Sequence, residues 1–201
     1  PVPRVRIVGP GTDVSMSVAG RRFAVDDGHL NMPGGEVYTS PLEDSAEGVV
    51  ELSEYPALLH GNRCEGIRLR FEGGVVVEAS ARVGEEFLLA ALDTDEGSRR
   101  LGELGIGCNR GLPKDVRQVW FDEKVDGTIH LAIGQGFPEC GGTNVSAMHW
   151  DEVQRELPQL HDKLTRTTLP DARVVHMPPM AVDVDGARTE LSFPPRYGEH
   201  T

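Results

Sequence analysis

Cysteine is scarce in this chain and is not spaced for structural work. Cys64, Cys108 and Cys140 are the only three. No CxxC pair occurs among them, which excludes a disulfide framework and a zinc ribbon and fits a reducing, cytoplasmic setting. Long apolar runs are missing too: nothing approaches the roughly 18 apolar residues of a membrane span, so no membrane association is expected. The opening PVPRVRIVGPGTD has no apolar signal core followed by a cleavage site, so secretion is not expected. Basic residues are outnumbered, 20 Lys and Arg against 32 Asp and Glu, for a net charge of −12. The densest basic groups, Arg21-Arg22 and Arg99-Arg100, are too short to make a phosphate-binding stripe, which argues against nucleic acid as a partner. The acid excess suits a site that gathers divalent cations.

What is present reads as one globular domain. The 201 residues are 38% apolar and 26% charged, enough for one sizeable core. VRIV and DVSMSV, joined by Gly9-Pro10-Gly11, are candidate strands, and Arg21 to Val25 is expected to be the hairpin partner or a continuation of the second. Glu47 to Glu54 and Gly66 to Ser80 supply more strands, with Ile67, Leu69 and Phe71 alternating against Arg68 and Arg70. From Gly84 the period becomes helical through Phe87, Leu88, Ala91 and Leu92, with Glu85 and Glu86 in the first turn. Asp95 to Leu101 is expected to be a second helix capped by Thr94. Ala172 to Phe193 is expected to hold two or three strands with a turn at Asp185-Gly186. The expected fold is a β-rich α+β domain over residues 1–193, with a flexible tail at 194–201 and a metal site at strand ends and Gly-rich turns.

The chemistry concentrates in GTIHLAIGQGFPECGGTNVSAMHWD, residues 127–151. His130 sits in an apolar strand, and an extended HisTrpAsp would point His149 and Asp151 to the same side. Taken singly, His130 reads as a core histidine and His149 with Asp151 as a surface pair. Two carboxylates elsewhere change the weighing. Glu36 follows the rigid bend Pro33-Gly34-Gly35, where a fixed carboxylate suits a metal ligand or a general base. Glu103 lies among glycines and apolar residues, where an unpaired carboxylate is costly, so a cation partner is expected. The glycines around it follow no GxGxxG frame and lack a trailing Lys-Ser/Thr, which excludes a phosphate loop. Glu36, Glu103, His130, His149 and Asp151 together suit two adjacent divalent ions sharing a carboxylate. Such a pair polarises a carbonyl and generates hydroxide near neutral pH.

These residues carry a family resemblance. GTDVSMSVAGRRF, NMPGGEVYTSPLEDSAEG, DTDEGSRRLGELGIGCN, FDEKVDGTIHLAIG and GGTNVSAMHWD resemble, in order, the carboxy-terminal half of the thermophilic aminopeptidase family of metallopeptidases, over residues 5–190. The resemblance implies a cytoplasmic homodimeric exopeptidase using two zinc, cobalt or manganese ions on peptide or small amide substrates. It implies metal ligands at Glu36, Glu103, His130, His149 and Asp151, with Glu103 shared between the ions. Glu103 or Glu36 would handle the proton. The family's amino-terminal domain has no counterpart in this sequence. At Phe137 the family has a tyrosine, whose hydroxyl suits an oxyanion donor, and Tyr38 is a candidate to stand in for it.

Two other functions fit parts of the pattern. His130, His149 and Asp151 alone form a two-histidine, one-carboxylate set of the kind that holds one Fe(II) in oxygenases, and the dihydroxypyridine dioxygenases resemble this family. Glu36 and Glu103 are superfluous to such a site. A non-catalytic domain keeping its metal for folding or partner binding is the third possibility.

Overall fold

A computed structural model of the chain describes residues 4–52, 56–59, 61–112, 118–154, 182–184 and 187–189. In chain order the elements are β1 (Arg4–Gly9), β2 (Thr12–Ser17), β3 (Ala24–Asp26), β4 (Glu36–Thr39), β5 (Glu47–Leu52), β6 (Ala57–Leu59), β7 (Asn62–Cys64), β8 (Ile67–Glu72) and β9 (Val75–Ser80). They continue as α1 (Glu85–Leu92), β10 (Leu101–Gly107), α2 (Val119–Asp122), β11 (Ile129–Gly134), β12 (His149–Gln154), β13 (Val182–Val184) and β14 (Ala187–Thr189). The expected α+β, β-rich architecture is what these elements make.

Two five-stranded sheets dominate, ordered β1-β2-β5-β8-β9 and β12-β11-β10-β4-β3. All of their strand pairings are antiparallel. Period-2 patterning explains the first sheet. Val14 and Met16 of β2 and Ile67, Leu69 and Phe71 of β8 are buried, while Arg68 and Glu72 face solvent. In the second sheet, Leu104, Leu131, Ile133 and Trp150 join those residues in a shared core. Leu88 and Leu92 of α1 are buried in the same core, and Phe87 meets Trp150 edge to face at 5.8 Å. The second sheet therefore has one greasy face turned to the core, and its other face is free to carry polar groups.

Two expectations are corrected. Asp95 to Leu101 is not a helix: its first residues form turns and Leu101 opens β10. The Asp95 carboxylate accepts the backbone N–H groups of Gly97 and Ala147 and the hydroxyls of Ser98 and Ser146. An acceptor that captures local N–H groups in this way competes with the helical ladder. Arg21 to Val25 neither pairs with β2 nor continues it, since β2 pairs with β1 and β5, whereas β3 pairs with β4 in the other sheet. β13 and β14 pair as the strand pattern near the end suggests. The Asp185-Gly186 turn and the tail at 194–201 lie outside the described residues. Among the described residues no helix is long and apolar enough to cross a membrane.

Candidate metal centre

The register of the second sheet gathers the candidate ligands. Glu103 pairs with Ala132 and Ala132 with Asp151; Gly105 pairs with His130, Gly107 with Glu36, and Gly134 with His149. Residues opposite one another on antiparallel strands share a face, and alternate residues repeat it. Glu36, Tyr38, Glu103, His130, His149 and Asp151 thus project from the same face. The intervening central positions on that face are Gly105, Gly107, Ala132 and Gly134, which leave room above the sheet. All five candidate ligands sit on strands, with Glu36 and His149 opening β4 and β12 in line with the expected strand ends, whereas the glycines around Glu103 form no turn: Gly102 to Gly107 belongs to the central, wholly buried strand β10.

Glu103 is the hub. Its Oε1 lies 3.3 Å from His130 Nε2 and its Oε2 lies 3.1 Å from His149 Nε2. His130 Nε2 is also 3.3 Å from Glu36 Oε2, and His149 Nε2 is 3.4 Å from Asp151 Oδ1. Two groups result, Glu36–Glu103–His130 and Glu103–His149–Asp151, each with its ligand atoms within 4.8 Å of one another. The first group is buried and the second half-buried. His149 Nδ1 is 2.8 Å from the Gln135 carbonyl oxygen, which can only accept, so Nδ1 donates there and Nε2 is the ring nitrogen turned to the carboxylates. Imidazole and carboxylate donors converging in this way fit a divalent metal ion.

The loop before β4 is pinned on both sides. Asp26 carboxylate oxygens accept the N–H groups of Gly28 and Asn31, and Asn109 Nδ2 donates to the Gly34 carbonyl at 2.6 Å. A Cβ on Gly35, whose φ is +122°, would lie 2.5 Å from Asn109 Cβ, so only glycine lets the bend close beside Glu36.

Two charged residues that the sequence did not single out join the site. Lys124, just beyond α2, is 0% exposed, and its Nζ donates to Glu36 Oε1 at 2.9 Å and Glu123 Oε1 at 2.6 Å. Asp26 Oδ2 is 3.9 Å away. No motif in the sequence marks Asp122-Glu123-Lys124, and only the fold turns it inward. A cleft of about 330 Å³ opens onto the ligands, with Glu123, Tyr38 and Phe137 in its walls and Leu30, Val119 and Trp120 also lining it. The Phe137 ring lies 4.8 Å from Tyr38 and 5.1 Å from His149.

The electrostatics are those of a site built for cations. Burial by itself would lower the pKa of both histidines, but the carboxylates around them win. Glu103 chiefly raises His130 to about 9, and Asp151 with Glu103 raises His149 to about 11. Burial would raise Glu103, yet hydrogen bonds to both imidazoles hold it below the usual carboxylate range. Burial lifts Glu36 above its ordinary value and pushes Glu123 up to about 7, in the latter case helped by the charge of Asp151. Lys124 is held above its ordinary pKa despite burial, because Glu123 and Glu36 outweigh it.

The family described as thermophilic metalloprotease (M29) matches residues 2–159. The chain belongs to that family. Aminopeptidase T of Thermus thermophilus is 41% identical over 188 residues, an alignment that takes in 80% of this chain and 46% of the relative. The solved wild-type AmpT from Thermus thermophilus matches with a TM-score of 0.60 at 35% identity, covering 75% of this chain and 42% of that one. The chain thus spans less than half the length of these two relatives. A 2,5-dihydroxypyridine dioxygenase from Pseudomonas putida KT2440 matches with a TM-score of 0.64 at 20% identity, over 79% of this chain and 52% of that one. At that identity the likeness is one of fold alone. Membership of a metalloprotease family implies use of a divalent metal.

Proposed function

We propose that this chain is the metal-binding catalytic part of an aminopeptidase, releasing amino-terminal residues from peptides or cleaving a related amide. Two divalent ions would be held by Glu36, Glu103 and His130 and by Glu103, His149 and Asp151. The observation that carries this reading is the position of Glu103, which turns one oxygen to each histidine and so belongs to both groups. Bound ions would supply Lewis acidity toward the scissile carbonyl and lower the pKa of an attacking water.

The chain's own residues would do the rest. His149, fixed by the Gln135 carbonyl, and His130 hold the donor atoms in place. Both oxygens of Glu103 and of Glu36 already face partners, so the proton falls to Glu123. Glu123 lines the cleft outside both groups, and a carboxyl held near neutrality suits proton transfer at working pH. Tyr38, whose hydroxyl burial pushes up to about 12, stays a hydrogen-bond donor at neutral pH and lies against Phe137 in the cleft wall. It is the residue we assign to oxyanion binding in place of the tyrosine expected at Phe137.

The single-iron alternative uses only His130, His149 and Asp151 and gives no reason for Glu36 and Glu103 to converge on the same imidazoles. Metal content per chain, measured by elemental analysis alongside hydrolysis of aminoacyl amides, tests the proposal. Close to two zinc, cobalt or manganese ions per chain with amide hydrolysis is expected. One iron per chain, retained in Glu36→Ala and lost in His149→Ala, would overturn it.

A further inference from the structure

Lys124 is an unusual neighbour for a cation site. Its ammonium is buried, lies 2.9 Å from Glu36 Oε1, and is anchored from the other side by Glu123 at 2.6 Å. Glu36 therefore has a single oxygen, Oε2, turned toward His130 and the deeper group of donors. Among the described residues the outer group has no such companion, and the ion pairs of His149 are with Glu103 and Asp151. The two candidate metal positions are thus built alike in donor type and unlike in charge.

We infer that Lys124 is a resident cation that restricts Glu36 to one ligand oxygen and makes the deep metal position the weaker of the two. This rests on the two-metal reading above. The physical reason is Coulombic. A fixed positive charge beside a divalent ion in a buried setting is poorly screened, so it opposes loading of the near position far more than that of the half-exposed outer one. Lys124 also offsets charge that Glu36, Glu123 and Asp26 would otherwise bring together without a cation, which lets the pocket keep its shape before the deep ion arrives. The chain would then load in sequence, with the outer ion first and the deep ion completing the site.

Cobalt(II) titration of the metal-free full chain tests this, with bound ions counted by equilibrium dialysis and the two positions followed by their visible spectra. The wild-type chain is expected to take up two ions, the second at least about tenfold more weakly than the first. His149→Ala should retain only the weaker, deep ion. Adding Lys124→Met to that background should tighten the remaining ion by about tenfold or more, because the competing charge is gone. Equal affinities in the wild-type chain, or a deep ion that weakens or is unchanged in Lys124→Met, would overturn the inference alone. Saturation at one ion in the wild-type chain would overturn the two-metal reading and the inference with it. If circular dichroism shows that Lys124→Met does not fold, Glu123→Gln decides. Removing the partner of Lys124 should strengthen its hold on Glu36 and weaken the deep ion, and an unchanged or tighter deep ion would overturn the inference.

Discussion

Gly105 stands directly across the β10–β11 ladder from His130, and a Cβ placed on it would lie 1.9 Å from His130 Nε2. The imidazole occupies the space where a side chain would be. Gly105→Ala should therefore push His130 off Glu103 and Glu36, abolish the deep ion while sparing the outer one, and lower stability by about 1–3 kcal/mol through overpacking. Metal counting and thermal unfolding check this. Retention of both ions with normal activity would show that His130 is not a ligand.

Glu103 belongs to both groups, so its loss should not be equivalent to that of any other ligand. Glu103→Ala is expected to lose both ions, whereas His149→Ala and Glu36→Ala each lose one. Elemental analysis of the three variants in parallel gives the comparison.

The metal-free chain should become less stable as pH rises. His130 and His149 have folded-state pKa values of about 9 and about 11, above their ordinary value of 6.5, so their imidazolium forms are favoured by folding. That contribution is complete below pH 6.5 and is lost as pH climbs through about 9 and then about 11. Metal must displace these protons, so binding near neutral pH should release them. Calorimetry in buffers of different ionisation enthalpy would detect the release.

Tyr38→Phe should reduce kcat by roughly 10²-fold with little change in KM if its hydroxyl binds the developing oxyanion. The substitution removes one oxygen from a ring packed on Phe137 and leaves the packing in place. An unchanged kcat would remove Tyr38 from the mechanism.

Glu123→Gln, assayed at saturating metal, should lower kcat and erase the acid limb of the pH–rate profile that a Glu123 carboxyl raised to about 7 would give the parent chain. A lowered rate with an unaltered profile would assign Glu123 to holding Lys124 only.

The sequence carried much of this. Alternation in Val14, Met16 and Ile67, Leu69, Phe71 marked strands that are strands, because period 2 and one wet face leave a legible imprint. The i, i+2 spacing of His149 and Asp151 predicted a shared side, and β12 provides it. The Asp95 segment was misread because a turn built from side-chain acceptors has the composition of a capped helix.

By itself, then, the sequence determined a β-rich α+β chain and pointed to five candidate ligands, since local periodicity and residue chemistry are properties of short stretches. Only the tertiary structure decided that Glu103 lies between the two histidines, that Gly105 makes room for His130, and that Lys124 turns inward to Glu36. Those facts depend on strand order and register, which join residues far apart in the chain and leave no trace in the local pattern of any one of them.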